Sequence, residues 1–166
     1  MFIFQIAGYK RSGKTTLVSG LIQFFSEKGF KVASLKHHGH GGTPAAVENT
    51  DTRKHEEAGA VMTGVEGEGV LQLTMSKPSW KLDQILSFYQ LMEVDVLLIE
   101  GYKEHDFDKV VLIRDDHDLP LLDHLSGIKA IMTPLPLKHE DYDIPIFRSD
   151  ETEAFCEWLG ERVEDL

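Results

Sequence analysis

The chain has 166 residues, 42% of them hydrophobic, which suits one globular domain, residues 1–166, with one sizeable core. A formal net charge of -11 argues against a broad basic face of the kind nucleic-acid binding needs. Neither a disulfide nor a membrane span is expected, because Cys156 is alone and no apolar run is long enough; the N-terminus leads straight into a strand, so the expected compartment is the cytosol.

The run Phe2 to Ala7 is short, apolar and β-rich, and reads as a buried strand. It leads into Gly8-Tyr9-Lys10-Arg11-Ser12-Gly13-Lys14-Thr15, which fits the phosphate-binding pattern G-x-x-x-x-G-K-[ST]. Behind it, Leu17, Val18, Leu21, Ile22, Phe24 and Phe25 recur at helical spacing until Lys28-Gly29 stops the helix. Strand, glycine loop and helix are the context the pattern requires. Gly8 and Gly13 let the backbone N–H groups converge on phosphate oxygens, and the helix start adds its unpaired N–H groups and positive dipole end. Lys14 would reach the β- and γ-phosphates, and the Thr15 hydroxyl would ligate Mg²⁺.

Phe30 to Leu35 predicts a second strand ending at a glycine- and histidine-rich loop, Lys36 to Pro44, which should lie beside the phosphate loop. Lys10, Arg11, Lys14 and Lys36, with His37, His38 and His40, could make a small basic pocket, and anion or partner contact suits these histidines better than a zinc site. Asn49-Thr50-Asp51-Thr52 opens a short polar helix ended by Ala58-Gly59. Asp51 is either a helix N-cap or an acid near Mg²⁺ or the attacking water. Ala60 to Val65 and Val70 to Met75 flank a glycine-rich turn and predict an antiparallel hairpin.

Pro78-Ser79 leads a helix through Leu82, Ile85, Leu86, Tyr89 and Met92, with Trp80 and Phe88 expected as core packing. Val94 to Ile99 is the most apolar run and predicts a central parallel strand that delivers Glu100 as the second Mg²⁺-orienting group. Lys109 to Ile113, Gly127 to Met132 and Ile144 to Phe147 read as further strands, and a final helix carries Phe155, Cys156, Trp158, Leu159 and Val163. The acidic runs Glu104 to Asp108 and Asp115 to Asp118 read as solvated loops. The expected fold is therefore α/β and P-loop NTPase-like: a mostly parallel, doubly wound sheet flanked by helices, with an inserted antiparallel hairpin.

Four stretches carry a resemblance: the loop Gly8 to Thr16, the turn Lys36-His37-His38, Asp51-Thr52 with Glu57-Ala58-Gly59-Ala60 behind it, and Leu98-Ile99-Glu100-Gly101-Tyr102-Lys103. Their order resembles that of the MobB family, GTP-binding accessory proteins of molybdopterin-guanine dinucleotide biosynthesis. The resemblance implies binding of GTP with Mg²⁺, weak hydrolysis, a homodimer, and cooperation with a MobA-type guanylyltransferase. Molybdopterin and molybdoenzyme-maturation proteins are the further partners it suggests. By position it assigns Gly8, Ser12, Gly13, Lys14, Thr15 and Thr16 to phosphate and metal. Asp51 and Glu100 fall near Mg²⁺, as the residues of any slow hydrolysis, and Lys36 and His37 line the same edge. The stretch Arg53-Lys54-His55 departs from the family pattern, and no Asn-Lys-x-Asp run is present to read a guanine edge.

A small-molecule kinase of P-loop fold is the alternative, but no Arg-rich lid stands between Gly101 and Leu137, where Arg114 reads as isolated, as does Arg148 beyond it. A partition-type ATPase would carry an extra lysine before a Gly-Gly pair, which Tyr9-Lys10-Arg11 does not match. Neither an arginine finger nor a water-orienting Gln is evident, groups often supplied in trans.

Overall fold

The computed structural model describes residues 1–37 and 50–164. In chain order the elements are β1 (Phe2–Gly8), α1 (Lys14–Glu27), β2 (Val32–Lys36), α2 (Asp51–Glu57), β3 (Met62–Gly67), β4 (Val70–Met75) and α3 (Leu82–Leu91). They continue with β5 (Val96–Glu100), β6 (Lys109–Leu112), α4 (Pro120–His124), β7 (Ile128–Thr133), β8 (Ile146–Arg148) and α5 (Thr152–Glu164). Two compact units result, one from the described residues of 1–37 and 88–164, the other from 50–87. No helix among the described residues is long and apolar enough to cross a membrane.

The first unit is built on a six-stranded, wholly parallel sheet in the order β2-β5-β1-β6-β7-β8. Parallel strands buried on both faces need continuous apolar runs, and β5 and β6 supply them, with Val96 to Ile99 and Val110 to Leu112 all buried. Side-chain alternation then sorts the core into two layers. Phe4, Ile6, Val110 and Leu112 pack with Leu17, Val18, Leu21 and Phe25 of α1 and with Phe155, Leu159 and Val163 of α5. Ala7, Val111 and Ile113 pack on the opposite side with Leu121 of α4. The sheet is doubly wound, and the fold is P-loop NTPase-like as expected.

In the second unit β3 and β4 pair antiparallel, from Met62 opposite Met75 to Gly67 opposite Val70. Glu68 and Gly69 turn the chain with φ of 51° and 81°, the left-handed pair that a tight hairpin favours. Opposed residues share a face, so Met62, Leu71, Leu73 and Met75 lie on one side, and Thr63, Val65, Gln72 and Thr74 on the other.

Some elements differ from expectation. Trp80 and Phe88 are not core residues: they are 37% and 41% exposed. In α3 the buried and half-buried stripe is Leu82, Ile85, Leu86 and Tyr89, spaced at three and four residues, and Phe88 falls outside it. Trp80 precedes the helix, with the Lys77 ammonium 4.0 Å from its ring centroid. The run Asp115 to Asp118 is solvated only in part: Asp115, Asp116 and His117 are exposed, but Asp116–Asp118 form a 3-10 turn and Asp118 is buried. Helix α4, begun by Pro120 at its first turn, was not anticipated, although proline at that position is a start signal.

Candidate functional site

The chain leaves β1 at Gly8, where φ is 154°; a Cβ there would stand 2.5 Å from Ser12 Oγ and 3.1 Å from the Leu112 carbonyl oxygen. Only glycine lets the loop fold back so closely on β6. Gly13 caps α1 in a left-handed conformation, φ 91°, with no side chain bonded to the first turn and no acid within it. The first turn of this 14-residue helix therefore brings no carboxylate of its own to its free N–H groups, which suits an anion site. Lys14 spans the loop, its Nζ donating to the Tyr9 carbonyl oxygen at 2.6 Å and to Ser12 Oγ at 3.4 Å.

The neighbouring strand β5 ends on Glu100, opposite Ile6 of β1 and Lys36 of β2. Thr15 Oγ1 donates to Glu100 Oε2 at 3.1 Å, and Lys36 Nζ lies 3.0 Å from Glu100 Oε1 and 3.4 Å from Thr15 Oγ1. A hydroxyl and a strand-end carboxylate are hard oxygen donors, and with phosphate oxygens they make the donor set that Mg²⁺ prefers. The pair fits that ion, with Thr15 and Glu100 as the residues that would hold it.

Beyond Glu100 the backbone turns through Gly101 and Tyr102, both left-handed at φ 94° and 51°. A Cβ at Gly101 would meet the Cβ of His37 at 3.2 Å, so the close approach of these segments needs glycine there. The turn is held from below by Gln5, wholly buried in β1, whose Nε2 donates to the Tyr102 carbonyl oxygen at 2.7 Å and to that of Gly101. His37 N donates to the Glu100 carbonyl oxygen, and its ring lies 4.4 Å from that of Tyr102. Lys103 Nζ sits 4.1 Å from the centroid of the Tyr9 ring inside the phosphate loop.

Positive charge therefore dominates this edge. Burial holds the Lys14 ammonium below its ordinary range against the opposing pull of Glu100, and the charges of Lys103, Lys36 and Arg114 push the same way as burial. Burial likewise lowers Lys103, with Asp118 opposing. An oxyanion arriving here would relieve repulsion among cations already in place.

Of the residues singled out in the sequence, Gly8, Ser12, Gly13, Lys14, Thr15, Lys36, His37 and Glu100 come together at the carboxyl ends of β1, β2 and β5. Lys10 and Arg11 are exposed on the loop and Thr16 is exposed on α1. Asp51 belongs to the second unit. It is not the helix cap: Thr50 is, accepting from Arg53 N, while Asp51 opens the helix and pairs with Lys54 at 2.9 Å. Asp51 also lines a cavity of about 560 Å³ lying wholly within that unit, together with Arg53, Glu56, Thr63 and Gln72. His38, His40 and Asn49 lie outside the described residues. Gln5, Tyr102 and Lys103 were not anticipated as site residues. The polar break in an apolar strand was the available signal for Gln5.

Residues 3–134 match the family described as molybdopterin guanine dinucleotide synthesis protein B, MobB. A probable molybdopterin-guanine dinucleotide biosynthesis adapter protein of Bacillus subtilis is 40% identical over 92% of this chain and 88% of its own length. The crystal structure of a MobB homologue from Bacillus stearothermophilus superposes with a TM-score of 0.82 at 34% identity, covering 100% of both chains. That of Bacillus subtilis MobB gives 0.81 at 37%, covering 96% of this chain and 97% of the other. The family model spans most of the chain and the Bacillus subtilis relative is 40% identical over nearly all of it, so the chain belongs to the MobB family.

Proposed function

We propose that this chain is a nucleotide-binding adaptor in molybdopterin-guanine dinucleotide biosynthesis. It binds GTP with Mg²⁺ at the loop Gly8 to Thr16, hydrolyses it slowly at most, and assists a MobA-type guanylyltransferase in the cytosol. The observation that carries the reading is the convergence of Lys14, Thr15 and Glu100 at a helix start that no side chain caps, inside a chain of this family. Guanine as the base is supported by the names of the relatives, which refer to a guanine dinucleotide pathway.

In this reading Lys14 turns from the Tyr9 carbonyl to the β- and γ-phosphates, and the α1 N–H groups hold the phosphate oxygens. When bound, Mg²⁺ would neutralise phosphate charge and order the phosphate oxygens. Glu100 orients the Thr15 hydroxyl, and Lys36 pairs with the other oxygen of that carboxylate. Asp51 is proposed as a further acid near the metal. A homodimer is part of the proposal, supported by apolar side chains on the hairpin, where Met62, Val65, Val70, Leu71 and Leu73 are each about half exposed or more.

Calorimetric titration of GTP and of ATP with Mg²⁺, followed by single-turnover hydrolysis, tests the reading. Preference for GTP, loss of binding in Lys14→Ala, and weakened Mg²⁺ dependence in Glu100→Gln are expected. Equal or better ATP binding would turn the search to a kinase acceptor, and full affinity in Lys14→Ala would remove the phosphate loop from the site.

A further inference from the structure

Arg114 follows β6, the strand beside the phosphate loop. Leu112 registers with Gly8, and Ile113 N still donates to the Met132 carbonyl oxygen, so the strand geometry runs on past Leu112. Val110 and Leu112 belong to the α1 layer and Ile113 to the opposite one. Alternation thus brings Arg114 out on the α1 side, at the edge where α1 and the phosphate loop begin.

The guanidinium is held in a fixed orientation. Asp118, 1% exposed, accepts from Arg114 Nε at 2.9 Å, Nη2 at 3.0 Å and the Arg114 backbone N at 3.0 Å. Burying that carboxylate is costly, and three hydrogen bonds from one residue offset the cost. Yet the partner is not buried: the Arg114 side chain is 40% exposed, and its Nη1 edge bonds no described residue. A pair serving only to join two segments has no need to leave one face of the fork open. Asp118 also acts on Lys103, the cation over the Tyr9 ring, and Arg114 acts on Lys14 itself.

We propose that Arg114, oriented by Asp118, is an intrinsic phosphate-site cation that contacts the terminal phosphoryl group of a bound nucleoside triphosphate. The proposal rests on the reading that the Gly8 to Thr15 loop binds a triphosphate. It names a charge supplied in cis, where the sequence suggested that none was available. Arg114 is then the ligand-touching group and Asp118 a positioning residue. A planar fork whose Nε and Nη2 are fixed by a carboxylate offers its remaining edge to phosphate oxygens without further loss of side-chain freedom.

The test is calorimetry on the full chain with Mg²⁺ and either guanosine 5′-(β,γ-imido)triphosphate or GDP. Arg114→Ala and Arg114→Gln are compared with Lys14→Ala. Glutamine can still donate to Asp118 but carries no charge, so it preserves a structural link if that is all the residue provides. Both Arg114 variants should weaken the triphosphate by about ten- to a hundredfold, the loss of one charged hydrogen-bonding contact, and the diphosphate by only about threefold or less. Asp118→Asn should show a smaller loss of the same selectivity, and Arg114→Lys should recover part of it. Equal losses for both nucleotides, or wild-type triphosphate affinity in Arg114→Gln, would overturn the proposal. If Lys14→Ala abolishes binding while the Arg114 variants keep the wild-type ratio, only this inference fails. If Lys14→Ala binds normally, the phosphate-loop reading fails and takes the inference with it.

Discussion

Replacing Gln5 by leucine probes how the site is held from beneath. The two side chains have similar volume, so the substitution removes hydrogen bonds without opening a large cavity. Gln5 Nε2 serves the carbonyl oxygens of Gly101 and Tyr102, and a leucine side chain would leave both without that donor. A buried acceptor left unpaired costs about 1–3 kcal/mol, and these two residues are only half-buried, which places each near the low end. Against this stands Gln5 Oε1, buried and without a partner among the described residues, whose removal returns part of the cost. The net expectation is destabilisation by about 1–2 kcal/mol. With a urea m-value of about 2 kcal/mol/M, the midpoint should fall by about 0.5–1 M. Trp158 emission in a Trp80→Phe background reports on the sheet, because Trp158 packs on Phe147 and Phe155. The same variant should bind nucleotide several-fold more weakly, since the released turn carries Tyr102 and Lys103. An unchanged midpoint, or a rise, would refute the assignment of Gln5 as the support of this turn.

Three further outcomes are expected. Gly8→Ala should lower nucleotide affinity at least tenfold and stability by about 1–3 kcal/mol, because the new Cβ overlaps Ser12 Oγ at 2.5 Å on a backbone side chains avoid; isothermal titration and urea melts would read both. Burial, aided by Glu157 and Glu153, pushes the Cys156 thiol from 9.0 up to about 11. Its folded-state pKa is raised, so its contribution is complete below pH 9.0 and is lost as pH rises towards 11; Cys156→Ala should flatten that alkaline decline, and native protein at pH 8 should react with Ellman's reagent only as fast as it unfolds. Leu71→Glu should shift the proposed dimer to monomer in multi-angle light scattering without altering the melting of the sheet unit, and a persistent dimer would move the interface away from the hairpin's apolar side.

Much of the parallel sheet was legible because its strands are continuous apolar runs and its phosphate loop is a local pattern with both flanks in place. The hairpin was legible for the same local reason, since a Gly-bearing turn between two β-rich runs has few other uses. Neighbour relations were not. Nothing in the periodicity of Val94 to Ile99 says that it lies between β1 and β2, yet that placement brings Glu100 to Thr15. Charge runs misled where tertiary burial overrode them: Asp118 looks like its acidic neighbours until Arg114, four residues earlier, is seen to turn back onto it. Trp80 and Phe88 misled in the other direction, since aromatic character alone does not put a residue on the stripe a helix buries.

The hydrogen bond from Gln5 to Gly101 joins residues 96 positions apart, whereas the phosphate loop and the β3–β4 hairpin close over a few residues. Local loops form quickly, and long ones pay their entropy before any contact rewards them. During folding the glycine loop can therefore take shape early, but the acid that faces Thr15 and the turn bearing Lys103 arrive only when β5 has docked against β1. A half-folded chain would own the motif without the site. Nucleotide affinity, followed during refolding, should recover with the slowest phase of sheet assembly, which makes the site a reporter of finished folding.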